Sequence, residues 1–274
     1  MSALLELSHV TKVFSTQDAV VTAVAAVSLA VRMGECVSLL GHAACGKSTL
    51  LALLAGTEAP TEGEVLVGGV GSGGAGPTRV LVPSSPSLLP SLTARQNVRL
   101  AVDEGGSTES RAERVERVER YLDLMGIGNV ADERPAELDA ATLQAVALAR
   151  ALALTPHVLL LDDPFSPLPP SGRCELQDLL AQVWDEEPGR SLVMATGDVD
   201  EALYLADRIV LLTDGPASRV HAVFDVPFTR PRTRAGVLAH PRYQASRRLV
   251  RELLAQCARQ DQAGRPDPGV EQAS

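Results

Sequence analysis

Apolar residues along this chain follow two regimes: short runs that read as strands, and longer stretches spaced three and four apart that read as helices. "LLELSHVTKVF", "AVAAVSLAV" and "CVSLL" predict strands, with Gly34 in the turn before the last. "STLLALLAG", from Ser48, is rich in good helix formers and predicts a helix just after a loop. In "EVLVGGVGSGGAGPTRVLV" a Gly-rich loop from Gly68 to Gly76 separates two more strand candidates. From about Ser91 to Ala153 the pattern is helical. There "ESRAERVERVERYLDLMGI" sets Val115, Val118, Leu122 and Met125 on one face and alternates Arg with Glu on the other. Strand patterns return in "HVLLLDD", "SLVMATGD" and "RIVLLTDG". Apolar runs separated by helical segments predict a buried parallel sheet, and so an α/β fold. Past Asp261 the polar, proline-containing "DQAGRPDPGVEQAS" predicts a disordered tail.

The 274 residues allow one large α/β domain or two smaller ones, and 45% hydrophobic with 22% charged residues is ordinary globular material. No apolar run reaches bilayer length, and "MSALLELSHVTKVF" lacks the layout of a secretory signal, so a cytosolic chain is expected. Cys36, Cys45, Cys174 and Cys257 form no metal-type spacing and read as reduced thiols. A net charge of -9 argues against binding duplex nucleic acid. From Arg230 to Arg251 there are seven arginines and no acidic residue. Such a run suits an anionic membrane surface, an acidic patch on a partner, or simply a solvated tail.

"GHAACGKSTL" carries the first chemistry. It fits GxxxxGK[ST] from Gly41 to Ser48, between an apolar strand and a helix. Glycines let backbone amides turn toward an oxyanion, and the helix start adds partial positive charge. Lys47 suits the terminal phosphates and Ser48 suits Mg²⁺, so an ATP·Mg²⁺ site over Gly41, Cys45, Gly46, Lys47, Ser48 and Thr49 is expected. Cys45, inside that loop, is either a small loop residue or an oxidation-sensitive one. "HVLLLDDPF" ends an apolar strand in Asp162, a Walker B pattern in which a carboxylate holds the Mg²⁺ shell.

The run "LQAVALARALALTPHVLLLDDPF", with "GDVDEALYLADRIVLLTDG", resembles ATP-binding-cassette (ABC) ATPases from about residue 4 to residue 255. "GHAACGKST", "VPFTRPRTR" and the "HPRYQASRRLVRELL" ending are similar to the importers for nitrate, sulfonate and taurine, nitrate-type subunits most of all. The resemblance implies a P-loop NTPase fold with a parallel-sheet core, an antiparallel β subdomain and a helical subdomain. It implies an ABC domain over 1–258, with the helical subdomain at about 91–153 and a tail at 259–274. It further implies a second ABC subunit, membrane-spanning permease subunits, a solute-binding protein acting indirectly, and a place on the cytoplasmic face of the membrane. Phe14 falls where the family stacks an aromatic ring on adenine, a place where a core phenylalanine also fits.

Five family positions depart from the pattern. The LSGGQ signature is "LDAAT", Leu138 to Thr142, where Asp139 would repel a partner's phosphate and Ala140 and Ala141 add Cβ atoms. The catalytic glutamate is Asp163, one methylene shorter, and a misplacement of about 1 Å can cost on the order of a hundredfold. The switch histidine aligns with Gly197, the Mg²⁺-sensing glutamine with Ser84, and the aspartate past Walker B with Pro169. Ala43 and Ala44 also replace the usual serine and glycine of the phosphate loop. The expected function is the ATP-binding subunit of an importer for nitrate or a related anion, with Asp163 as a weak catalytic base and impaired hydrolysis. The alternative is a non-hydrolysing regulatory or structural ABC-fold protein. A soluble ABC protein acting on DNA or ribosomes fits the acidic charge and importer-like ending less well.

Overall fold

The burial of each strand follows from its spelling. A computed structural model describes residues 3–15, 19–71, 74, 78–105, 109–187 and 189–264, with side chains as far as Cys257. In chain order β1 (Ala3–Ser15), β2 (Val20–Arg32) and β3 (Cys36–Leu40) lead through a loop into α1 (Lys47–Ala55). β4 (Glu62–Val67), β5 (Val70–Gly71) and β6 (Arg79–Val82) follow, then α2 (Ala94–Glu104), α3 (Arg111–Leu124) and α4 (Ala140–Leu152). The chain continues through β7 (Val158–Asp162), α5 (Pro170–Glu186), β8 (Ser191–Thr196), α6 (Val199–Leu205), β9 (Arg208–Leu212) and β10 (Val220–Asp225). Helices α7 (Arg234–Ala239) and α8 (Tyr243–Gly264) complete it.

β2 alternates buried Val27, Leu29 and Val31 with exposed Ser28, Ala30 and Arg32, the pattern of a sheet with one wet face. It belongs to an antiparallel sheet in the order β2-β1-β4-β5. β3 is buried at every residue and lies inside the second sheet, β10-β9-β3-β8-β7-β6, which is parallel except for β10. Helix α1 is apolar on all sides, with Leu50, Leu51, Leu53 and Leu54 buried, and it fills the space between the two sheets. Truncating one of these leucines to alanine would cost about 2–5 kcal/mol. The sheets and helices thus match the expected α/β architecture, antiparallel subdomain included.

The expected helical region holds α2, α3 and α4, with capping boxes at Thr93/Gln96 and Ser110/Glu113 that satisfy the free amides of the first two. One detail differs from the sequence pattern. Val118, Leu122 and Met125 are buried as expected, but Val115 is exposed and Tyr121 takes the inward place. The Tyr121 hydroxyl donates to Glu187 and accepts from Arg190 at 2.7 Å, which makes burial of a tyrosine affordable there.

The arginine-rich segment is not a solvated tail through most of its length. Arg230 and Arg232 pair with Asp207, Arg234 with Asp178, and Arg247 with Asp200, and Arg232 is buried. Acidic partners from distant parts of the chain, invisible in the local sequence, account for the difference. The expected 258/259 boundary falls inside α8, and residues 265–274 of the expected tail lie outside the described residues. Several residues of the Gly68–Gly76 loop lie outside them too.

Candidate functional site

Parallel register brings the carboxyl ends of three strands side by side: Leu40 of β3 opposite Thr196 of β8, and Asp162 of β7 opposite Ala195. Ligands of open α/β sheets bind outside such ends. The phosphate loop leaves β3 and enters α1 here. Gly46 sits at φ +85, and a Cβ on it would lie 2.6 Å from Val24 Cγ1, so only glycine fits. At Gly41 a Cβ would lie 2.5 Å from the buried Cys45 sulfur. Burial raises the Cys45 thiol above its usual range, with Lys47 pulling against it, so it is a poor thiolate and packs as a small apolar residue.

Lys47 folds back over the loop, its Nζ donating to the carbonyls of Gly41 and His42 at 2.7 Å each. Ser48 Oγ donates to Asp162 Oδ1 at 2.9 Å, across 114 positions of sequence. A hydroxyl and a single carboxylate are hard oxygen donors that suit Mg²⁺, which takes its other ligands from phosphates and water. Consistent with so sparse a protein shell, the described residues hold no cluster of three or more His, Cys, Asp or Glu arranged for a metal. Gly41, Cys45, Gly46, Lys47, Ser48, Thr49 and Asp162 are thus brought together at one end of the sheet. Cys45 through Thr49 line a cleft of about 700 Å³ with Val21, His42 and Asp214. A larger cavity of about 950 Å³, bordered by Arg32, Trp184 and Arg230, contains none of these groups.

Phe14 is 38% exposed, so it is not a core residue. Its partner across β1 and β2 is Val21, which lines the cleft, and directly paired residues project from the same face. Lys12 Nζ lies 4.9 Å from the Phe14 ring centroid.

Asp163 follows Asp162 with φ +49, a left-handed conformation that aspartate tolerates better than most residues, and its amide donates to Ala195 O at 3.0 Å. Burial raises its carboxyl above the usual range, with Lys47 opposing. Gly197 lies beside the phosphate loop: a Cβ there would be 3.8 Å from Gly41 O, so a side chain at 197 would stand against that loop and none is present. Asp139 caps α4, accepting from Thr142 N at 2.8 Å, and that bond holds its carboxyl below the usual range and ionised. Ala141 faces α5, where a Cβ on Gly172 would come within 2.9 Å of its methyl. Pro169 caps the N-terminus of α5 without a side-chain hydrogen bond, and Ser84 follows β6, half-buried.

Two features escaped the sequence reading. Glu201, on α6, is buried and accepts from Gln177 Nε2 at 2.7 Å, and burial pushes its carboxyl up to about 7, with Asp198 and Asp163 pushing the same way. Its only sequence signal is an acid directly before the apolar run "ALYL". His42 Nδ1 lies 2.8 Å from Asp214 Oδ1, a pair 172 positions apart with no sequence signal.

A sequence model of the ABC transporter family matches residues 24–166. The chain is 41% identical over 253 residues to the nitrate import ATP-binding protein NrtD of Synechococcus elongatus, covering 92% of each. It is 41% identical over 255 residues to the nitrate transport protein NasD of Klebsiella oxytoca, covering 93% of this chain and 97% of that one. To the bicarbonate transport ATP-binding protein CmpC of Synechocystis it is 43% identical over 257 residues, 93% of this chain but only 38% of that protein's length. Among solved structures, a dimeric ATP-binding cassette in a post-hydrolysis state bound to ADP and Pi matches with TM-score 0.72 and 28% identity. That match covers 82% of this chain and all of the other. Among the described residues, no helix is long and apolar enough to cross a membrane.

Proposed function

The chain belongs to the ABC transporter family, with the ATP-binding subunits of anion importers, and from that premise we propose that it binds ATP·Mg²⁺ to drive uptake of nitrate or a related anion. The observation that carries this reading is the bonded Ser48–Asp162 pair beside Lys47 in a glycine-built loop. Lys47 would leave the loop carbonyls for the terminal phosphates, Ser48 and Asp162 would hold the metal, and Phe14 would face the base. ATP supplies the binding energy that closes two such subunits on each other. The partners on this reading are membrane-spanning permease subunits, a second ABC subunit and, indirectly, a solute-binding protein, at the cytoplasmic face of the membrane.

Turnover is slow on this reading. Asp163 is the available base and sits one methylene short, and Gly197 offers the transferring phosphate no donor. Toward the partner's nucleotide, the ionised Asp139 occupies the amides that a phosphate would need. A second reading, a non-hydrolysing ATP-binding module, draws on the same losses.

The deciding experiment is an ATP·Mg²⁺ titration with phosphate release, on the chain alone and with its neighbouring permease and ABC subunits, beside Lys47→Ala. Tight binding and slow turnover, both lost in Lys47→Ala, are expected. Binding without Lys47-dependent turnover in any combination would establish the second reading. Absence of binding would overturn both.

A further inference from the structure

The phosphate loop keeps its shape although an alanine stands where the backbone turns left-handed. Ala44 has φ +61, a conformation that glycine adopts freely and that crowds the Cβ of any other residue. Inside the loop Ala43 and Ala44 add only methyl groups, which cannot fix a backbone. Beyond the Lys47 bonds to the Gly41 and His42 carbonyls, further contacts reach the loop from another element. The hairpin joining β9 to β10, Thr213 to Arg219, meets the loop three times. Asp214 Oδ1 lies 2.8 Å from His42 Nδ1. Gly215 approaches so closely that a Cβ on it would be 2.5 Å from Ala44 O. Ser218, fully buried, donates its Oγ to Cys45 O at 2.6 Å. Residues 42 and 45 are thus bonded, and 44 closely approached, from one side, and the hairpin is itself anchored. Ala25 N donates to Ser218 O at 2.9 Å and Ala217 N to Thr22 O at 2.6 Å, tying the hairpin to β2. Thr213 and Arg219 close its base with bonds of 2.9 Å.

We propose that the β9–β10 hairpin is a brace for the phosphate loop, with Asp214, Gly215 and Ser218 as positioning residues that hold Ala44 left-handed so that the loop amides converge on phosphate. The proposal rests on the ATP reading above and adds to it which residues set the affinity. It also gives a role to an acidic side chain that lines the cleft: the Asp214 carboxylate is engaged by the His42 ring at 2.8 Å. A glycine at 44 would need no brace, which gives the test its logic.

ATP·Mg²⁺ dissociation constants would be measured on the full chain for Asp214→Ala, Asp214→Asn and Ser218→Ala, each with and without Ala44→Gly, with thermal unfolding alongside. Releasing one left-handed residue should weaken binding about tenfold. Asp214→Ala and Ser218→Ala are therefore each expected to lose about tenfold in ATP affinity. Asp214→Asn, which keeps an acceptor for His42, should stay near wild type. Ala44→Gly should restore most of the loss in both alanine variants without restoring any lost melting temperature, because it relieves the loop and not the hairpin. Wild-type affinity in both alanine variants would overturn the brace alone, as would losses that Ala44→Gly leaves untouched. A wild-type chain that binds no ATP would overturn the nucleotide reading and the brace with it.

Discussion

Replacing Glu201 by glutamine should change how stability depends on pH, and the direction can be worked out in advance. Glu201 is 5% exposed, and burial raises its carboxyl from an ordinary 4.5 to about 7. Between those values the folded chain keeps a proton that the unfolded chain has released, so stability is full below pH 4.5, falls as pH rises through the window, and levels off above 7. At about 1.4 kcal/mol per pH unit the loss is about 2–3 kcal/mol, after allowing for relaxation around a buried charge. For a chain of this size that is about 5–10 °C in melting temperature. Glu201→Gln never ionises and still accepts from Gln177, so it escapes the loss. Melting curves of both proteins at pH 5 and pH 7.5 isolate the effect, because other titrating groups cancel in the difference. The advantage of Glu201→Gln should grow by about 5–10 °C between the two pH values. A difference constant to within about a degree would refute the assignment of a buried, proton-holding carboxyl.

Three further outcomes follow from the site. Asp163→Glu should raise phosphate release in the assembled transporter by tens of fold, up to about a hundredfold, by returning the missing reach; an unchanged rate would mean that Asp163 is not at the reacting centre. Gly46→Ala must place a Cβ 2.6 Å from Val24 at φ +85, so loss of ATP binding with about 2–3 kcal/mol of destabilisation is expected by titration and melting. Asp139→Ser keeps an N-cap oxygen at a stability cost below about 0.5 kcal/mol and removes a negative charge, so ATP-dependent dimerisation followed by light scattering should strengthen.

The parts of this molecule that were legible in the sequence are those whose determinants are contiguous. The fully apolar β3, the glycines at 41 and 46, and helix α1 all fall within "CVSLLGHAACGKSTLLALLA", and the apolar run of β7 ends visibly at Asp162. Spacing alone placed α3, but it chose Val115 over Tyr121 because periodicity cannot see Glu187 and Arg190 waiting for a hydroxyl. The arginines after Arg230 looked solvated for the same reason, since their carboxylates lie at Asp178, Asp185, Asp200 and Asp207. Phe14 needed the register of β1 on β2 before its exposure and its place beside Val21 were known. The hairpin brace was hidden most completely, because each of its contacts joins residues more than 170 positions apart.

The losses and the retentions in this chain fall on different physical tasks. On the proposed reading, the groups replaced include those that would act on the transition state or on a partner's nucleotide, at Asp163, Gly197 and Asp139. Gly41, Gly46, Lys47, Ser48 and Asp162, which would hold phosphate and metal on this chain, are present, and the loop that carries the departures Ala43 and Ala44 is met by the hairpin at residues 42, 44 and 45. Binding and hydrolysis make separable demands. On the proposed reading the usable output of this subunit is then mainly the free energy of holding ATP, about 2.7 kcal/mol when ATP stands a hundredfold above its dissociation constant. If ATP binds the closed arrangement of two subunits and not the open one, that biases closure about a hundredfold without any bond being cut. Resetting the arrangement, however, requires the nucleotide to leave. A subunit that hydrolyses slowly must therefore either release ATP intact or borrow its turnover from a competent partner, and measuring ATP dissociation in the presence and absence of that partner separates the two.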